Sequence, residues 1–369
     1  MSTVCVFPWV GLPELLEVGG FQLLPFERHR WPAGPVTSMQ RLFDAVLAPY
    51  KEQRGTPIEH ATLVRHPHHG VTDDLSGEER GDLFTFAELL AFCGLASRQF
   101  FGFGLNYVNR DDYTFVIQSF VDPGAGVSIT TRRRDGVMNN YYTAGLYEFR
   151  RPLHRSPNAT IRIDVSLMQA VLNAQRGPEW ERLWDAILAF NRANTDSEQI
   201  MEEAEVVFIV GALQRLLDCR TSNVDDLANR FTEAFAPRFT IPLPGVLRAG
   251  CLTTERSVRE VWMRSLYAVR GPLAHARRSS RVPSPWSLRE HLLLSSYAFP
   301  LLVKLTLERA RQYALTDADK FDVDVFEALA ATPDLLADPA QSPDGRPAWE
   351  RVRVDAIWRW RSQRRPHPG

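Results

Sequence analysis

Residues 204–213 read AEVVFIVGAL. The stretch holds one charge, Glu205, and is apolar almost all round, so a helix through it belongs at the centre of a bundle. Just before it, Thr195 and Glu198 make a T-x-x-E capping box, in which each side chain satisfies the other's free backbone amide. The helix predicted from them, about 196–218, carries Glu198, Glu202, Glu203 and Glu205 early and Arg215 late, the order that complements a helix dipole. Upstream, 165–176 and 180–192 have helical patterning and are separated by Gly177-Pro178, a stop followed by a proline suited to a first turn. Downstream come 225–236, ended by Pro237, and 254–269, with Val258, Trp262, Leu266 and Val269 on one stripe and Arg256, Arg259, Glu260 and Arg264 mostly off it. Ser287 and Glu290 form a second capping box, opening a long helix to about Tyr313 that Pro300 should kink. An all-α bundle is therefore expected over 156–315.

The first 155 residues read differently. Segments 112–121 (DYTFVIQSFV) and 126–131 are rich in β-branched and aromatic residues, and Pro123-Gly124 between them marks a hairpin. Further short strands are predicted at 61–64 and 159–165, and helices at 36–50 and 85–96. The expected organisation is an α+β domain over 1–155, the helical domain over 156–315, and a C-terminal extension over 316–369. That extension is rich in Asp, Pro and Arg and reads as peripheral until 358–365 (WRWRSQRR).

The composition narrows the function. A chain of 369 residues, 44% hydrophobic and 24% charged, is not wholly disordered. Its formal charge of −1 excludes a uniformly basic nucleic-acid coat and leaves room for a local basic site. Only three of the 43 basic residues are lysine (Lys51, Lys304, Lys320), so the positive charge is almost all guanidinium. That suits phosphate, and it also follows from a genome rich in G and C. The four cysteines are scattered with no C-x-x-C, which fits neither a disulfide framework nor a zinc module and points to a reducing cytoplasm. Residues 1–13 lack the basic start and apolar run of a signal peptide. Residues 291–307 are broken by Ser295, Ser296, Pro300 and Lys304, so no membrane span is expected.

The stretch richest in chemistry is 262–278, WMRSLYAVRGPLAHARR. It sets four residues between Arg270 and His275 near the end of a helix, with Arg277 and Arg278 beyond. In this helical setting Leu266-Tyr267-x-x-Arg270-x4-His275 resembles the signature of the HEPN superfamily (higher-eukaryote-and-prokaryote nucleotide-binding), and within it the Apea-like group. The resemblance spans roughly 195–315. It implies a metal-independent endoribonuclease with no cofactor, working in phage defence or a stress response. It also implies a homodimer through the helical domain, so that two R-x4-H segments face each other. Arg270 would hold the scissile phosphate, His275 would move the proton, and Tyr267, Arg277 and Arg278 would position RNA. The N-terminal domain would recognise a phage or cellular trigger.

The residue chemistry is consistent with that expectation by itself. RNA can be cut without a metal because its 2′-hydroxyl is an internal nucleophile beside the phosphate. Histidine titrates near neutrality, and arginine gives phosphate oxygens charge-assisted, bidentate hydrogen bonds. Gly271-Pro272 departs from the family pattern. Proline clashes with the carbonyl of Ala268, so the helix either kinks or stops near Arg270 and restarts. Residues five apart on a straight helix are roughly 140° apart, so Arg270 and His275 need a bend or a second protomer to meet. The alternative function is a non-catalytic HEPN-like adaptor that binds RNA or dimerises.

Other candidates carry less. His66-Pro67-His68-His69 is dense in histidine, but a metal site needs further ligands, with His60 or Cys93 available, and Pro67, Gly70 and Asp73-Asp74 read as a loop. No metal site is therefore assigned. Arg132-Arg133-Arg134 reads as a solvated turn, and Tyr141, Tyr142 and Phe149 as core or as stacking platforms. The tail alternates Trp358, Arg359, Trp360 and Arg361, a pattern that suits single-stranded RNA or docking onto the body. No phosphate-binding glycine loop, G-x-S-x-G or H-E-x-x-H is present.

Overall fold

The computed structural model describes residues 2–28, 38–71, 73–97, 109–120, 127–133, 136–142, 148–151, 161–195, 200–219, 223–274, 283–338, 340 and 345–364. By compactness the chain divides into Met1–Leu172 and Asn173–Gly369, the first mixed and the second helical. The boundary expected at 155/156 lies outside the described residues.

The first unit is built on one antiparallel sheet. Its strands are β1 (Ser2–Phe7), β2 (Leu16–Val18), β3 (Phe21–Glu27), β5 (His60–Arg65), β6 (Val116–Phe120), β7 (Val127–Arg133) and β8 (Gly136–Tyr142), in the order β2-β3-β5-β1-β6-β7-β8. A short parallel pair, β4 (Tyr50–Lys51) and β9 (Phe149–Arg150), lies apart from it. The expected hairpin is β6–β7, with Phe120 opposite Val127; its Pro123-Gly124 turn lies outside the described residues. Residues 161–164 are not strand and Val165 begins helix α3 (Val165–Ala174), so the described part of the strand expected at 159–165 is absent.

β1 lies mid-sheet and was not predicted. Val4 and Val6 belong to one core, with Phe26, Val46 and Leu47, while Cys5 and Phe7 are buried on the opposite face. A strand buried on both faces is a continuous apolar run, and it loses the alternation that marks a strand in sequence. On the first face Phe26 meets Phe43 of α1 (Ser38–Leu47). On the other, Phe21 stacks on Phe86 of α2 (Gly77–Leu95) with centroids 4.2 Å apart. The helix expected at 85–96 starts earlier because Ser76 and Glu79 form a reciprocal capping box.

The second unit comprises α4 (Trp180–Arg192), α5 (Glu202–Leu216), α6 (Val224–Ala234), α7 (Val258–Ala274), α8 (Leu288–Arg309), α9 (Asp317–Ala331) and α10 (Ala348–Arg364). Its centre is aromatic. Phe190 of α4 stacks on Phe299 of α8 at 4.5 Å, and Trp262 of α7 lies 5.4 Å from Phe231 of α6 and 5.2 Å from Phe326 of α9. Truncating any of these fully buried rings to alanine should cost about 3–5 kcal/mol. The Ser287–Glu290 box opens α8 as expected. The Thr195–Glu198 box does not open α5: Ile200 and Met201 are non-helical and Met201 is the N-cap. Nor is α5 enclosed all round, since Val207, Phe208 and Gly211 are only half-buried.

The segment from 316 is no peripheral extension. In α9, Phe321, Val325, Phe326 and Leu329 are core residues, and Asp319, Asp322 and Asp324 are buried and satisfied. Asp319 accepts from Lys304 Nζ at 2.6 Å, and Asp322 from Tyr297 Oη at 2.8 Å. Asp324 takes the Arg238 and Phe239 amides at 2.6 and 3.1 Å. The tail tryptophans divide: Trp360 is buried and donates to Asp324 Oδ2 at 3.0 Å, whereas Trp358 is 68% exposed. Among the described residues no helix is long and apolar enough to cross a membrane.

Candidate functional site

The pairing of arginines separates two parts of α7. Near its start, Arg256 and Arg264 approach Glu260 at 3.3 and 3.0 Å, and Arg259 approaches Glu327 at 3.3 Å. These cations belong to the fold. Arg270, on the last turns, is half-buried and has no carboxylate partner among the described residues. Its Nε is buried without a hydrogen bond, and its guanidinium carbon lies 6.0 Å from the Tyr267 ring centroid, the outer limit of a cation–π contact.

Arg270 lines an open cleft of about 680 Å3. α4 contributes Asp185, Leu188, Ala189 and Arg192, and α5 contributes Val207, Phe208, Gly211, Gln214 and Arg215, with Cys219 just beyond. The lining is mixed, with Leu188, Val207 and Phe208 its large apolar side chains and Arg192, Arg215 and Arg270 its cationic groups. None of the three has an ion pair among the described residues, and the cleft's one carboxylate is Asp185. An added Cβ at Gly211 would stand 3.0 Å from Arg215 Nη1, so the glycine leaves space for that guanidinium against the helix. The Cys219 thiol is pushed up to about 11, by burial first and Asp226 second, so it is neutral and no nucleophile at pH 7.

A second, smaller cleft of about 280 Å3 makes the contrast. Its arginines are already engaged: Arg230 with Asp226 at 2.7 Å, Arg182 with Glu179 and the Leu216 carbonyl, and Arg309 with the Ala234 carbonyl. Free donors therefore gather in the first cleft. A water-accessible concavity with unpaired guanidinium groups and little opposing charge suits a phosphate or another planar anion.

Of the residues expected at the site, Tyr267 and Arg270 are on α7, and Arg270 reaches the cleft. His275, Arg277 and Arg278 lie outside the described residues, as does the turn after Arg133. The helix does not stop at Arg270; it continues through Gly271 and Pro272 to Ala274, one residue short of His275. Arg192 and Arg215 were missed as site residues, and the spacing along α4 and α5 carries no signal that would have found them.

A separate ionisable group is closed in the core. His291 is fully buried, its Nε2 lies 3.0 Å from Ser284 Oγ, and the rings of Trp262 and Trp286 flank it. Burial pushes its imidazole down to about 3, so it stays neutral. It has no access to a substrate.

A scan against protein-family models finds no match to the chain, and searches of curated proteins and of solved structures find none either.

Proposed function

We propose that the helical unit is a HEPN-like, metal-independent endoribonuclease acting in phage defence or a stress response. One observation supports this: an Arg270 guanidinium with no ion pair among the described residues lines an arginine-rimmed cleft, on a helix that runs at least to Ala274, the residue before His275. In the proposed reaction the ribose 2′-oxygen attacks phosphorus and the bond from phosphorus to the 5′-oxygen breaks. His275 takes the 2′-hydroxyl proton or supplies one to the leaving oxygen. Arg270 neutralises the phosphate oxygens, with Arg192 and Arg215 along the approach, and Tyr267, Arg277 and Arg278 position the strand. The products are a 2′,3′-cyclic phosphate and a 5′-hydroxyl, and DNA is resistant. A homodimer would bring two such segments to one RNA linkage.

The test is RNA cleavage by the purified chain and by His275→Ala in excess chelator, with the product ends mapped. The reading expects cleavage by the wild type alone. Equal cleavage by both refutes it, and loss on chelation alone points to a metal enzyme.

A second reading rests on Gly271-Pro272 and on the apolar side chains that line part of the same cleft, Leu188, Val207 and Phe208. It makes the unit an adaptor that binds RNA or a partner without cutting. RNA binding by wild type and His275→Ala alike, with no cleavage and no growth defect on expression, would favour it.

A further inference from the structure

The turn after β5 and the start of α2 bring a second set of chemical groups together in the first unit. His69 N–H donates to the His66 carbonyl at 3.1 Å, closing a turn that puts both imidazoles on one side, ring centroids 5.5 Å apart. They face Glu79 and Asp82, one turn apart on α2. One donor atom each from His66, His69 and Glu79 lies within 4.8 Å of the others. From the geometry of this cluster we infer that the first unit holds one zinc ion, or a similar late first-row divalent cation, on His66, His69 and Glu79, with Asp82 as fourth ligand.

The spacing suits a small ion. Ligands about 2.0–2.1 Å from a tetrahedral metal stand roughly 3.3 Å apart, so side-chain movements of an ångström or so complete the site. His69 Nε2 already meets Glu79 Oε1, and Asp82 Oδ2 lies 3.9 Å from His66 Nε2. The donors are oriented by the fold. Glu79 Oε2 is held by the Ser76 amide at 2.8 Å through the capping box, which leaves Oε1 toward the histidines. His66 is buried, edge-on to Phe21 at 5.4 Å. Ligation through its Nε2 requires the Nδ1–H tautomer and gives up a long 3.4 Å contact from the His68 amide. Asp73 Oδ2 lies 3.9 Å from His69 Nδ1 and is anchored by the Gly70 amide at 2.6 Å. A carboxylate on the far nitrogen of a ligating histidine is the usual outer partner. Two imidazoles with carboxylates suit zinc and its neighbours, whereas calcium and magnesium take oxygen alone. His60 and Cys93, the extra ligands considered from sequence, are not in the cluster. The metal would tie the turn to the first turns of α2, a structural role.

The experiment is isothermal titration of zinc sulfate into the full chain, previously stripped with chelator. One zinc per chain and a higher melting temperature are expected. His69→Ala and Glu79→Gln should bind about a hundredfold more weakly or worse. Glutamine still serves the capping box, so the second variant retains α2. His68→Ala, at an exposed neighbour outside the ligand set, should bind as the wild type does. Cobalt titration should give the intense visible bands of a tetrahedral site. Uptake well below one per chain, variants that bind like the wild type, or weak octahedral bands would overturn the inference. It stands apart from the nuclease reading: His275→Ala leaves zinc uptake unchanged, and His69→Ala serves as a zinc-free control for the chelation arm.

Discussion

Arg270→Gln and Arg248→Gln should fail in opposite ways. Arg248 is nearly enclosed and forms a bidentate pair with Glu290, with its nitrogens also donating to the Pro285 and Thr332 carbonyls at 2.7 and 2.8 Å. Glu290 in turn accepts from the Ser287 and Leu335 amides at 2.9 and 3.1 Å. Removing the guanidinium leaves a buried carboxylate uncompensated, which costs about 3–5 kcal/mol. At roughly 2–4 °C per kcal/mol for a unit of this size, the melting point should fall by about 6–20 °C. Arg270 has no carboxylate to abandon, and glutamine keeps much of its aliphatic stem, so stability should change by no more than about 0.5 kcal/mol. Its cost should appear in RNA binding. A charge-assisted hydrogen bond contributes about 1.5–3 kcal/mol, or about 10- to 150-fold in affinity. Each arginine that neutralises a phosphate of single-stranded RNA contributes about −0.7 to the salt slope, so removing Arg270 should make the slope shallower by about 0.7. Thermal melting by circular dichroism measures the first effect. Fluorescence anisotropy with a labelled single-stranded RNA over a salt series, in a His275→Ala background, measures the second. If Arg270→Gln melts as early as Arg248→Gln, or binds RNA with unchanged affinity and slope, Arg270 belongs to the scaffold and the cleft is not the RNA site.

Two further outcomes test the fold. His291 is held neutral with its imidazole at about 3 in the native state, against an ordinary 6.5. Between those values the unfolded chain binds the extra proton, so stability should fall as pH drops from about 6.5, by about 1.4 kcal/mol per unit. His291→Leu should remove that slope in urea melts, and a slope that persists would place its origin elsewhere. At Gly94 an added Cβ would stand 1.7 Å from Oη of the fully buried Tyr113, so Gly94→Ala should destabilise the first unit by about 3 kcal/mol. An unchanged melting point would mean that the α2–Tyr113 contact is looser than described.

What the sequence revealed depended on whether the deciding forces were local. The α8 cap was legible because Ser287 and Glu290 are three residues apart, and the same holds for Ser76 and Glu79, although that pair was passed over. α9 was not legible. Its sequence DADKFDVDVF looks solvated, yet Asp319, Asp322 and Asp324 are buried against partners from 15 to 86 residues away. β1 was missed because burial on both faces erases alternation. The candidate site followed the same rule. Arg270 was found through its spacing from His275, whereas Arg192 and Arg215 join it only when α4, α5 and α7 pack.

Arginine richness alone therefore decides little, and pairing decides more. A guanidinium between carboxylates, as Arg264 is with Glu260 and Asp225, is explained by the fold it stabilises. Arg192, Arg215 and Arg270 gather like charge on one concave surface with a single carboxylate, Asp185, beside them. Packing gains little from that arrangement: Arg192 and Arg215 are exposed, Arg270 is half-buried, and among the described residues none of the three has an ion pair. An incoming phosphate supplies the missing charge and the missing acceptors together. This asymmetry is a stronger reason to look for RNA in the cleft than the number of arginines in the chain, and the Arg270→Gln salt series measures it directly.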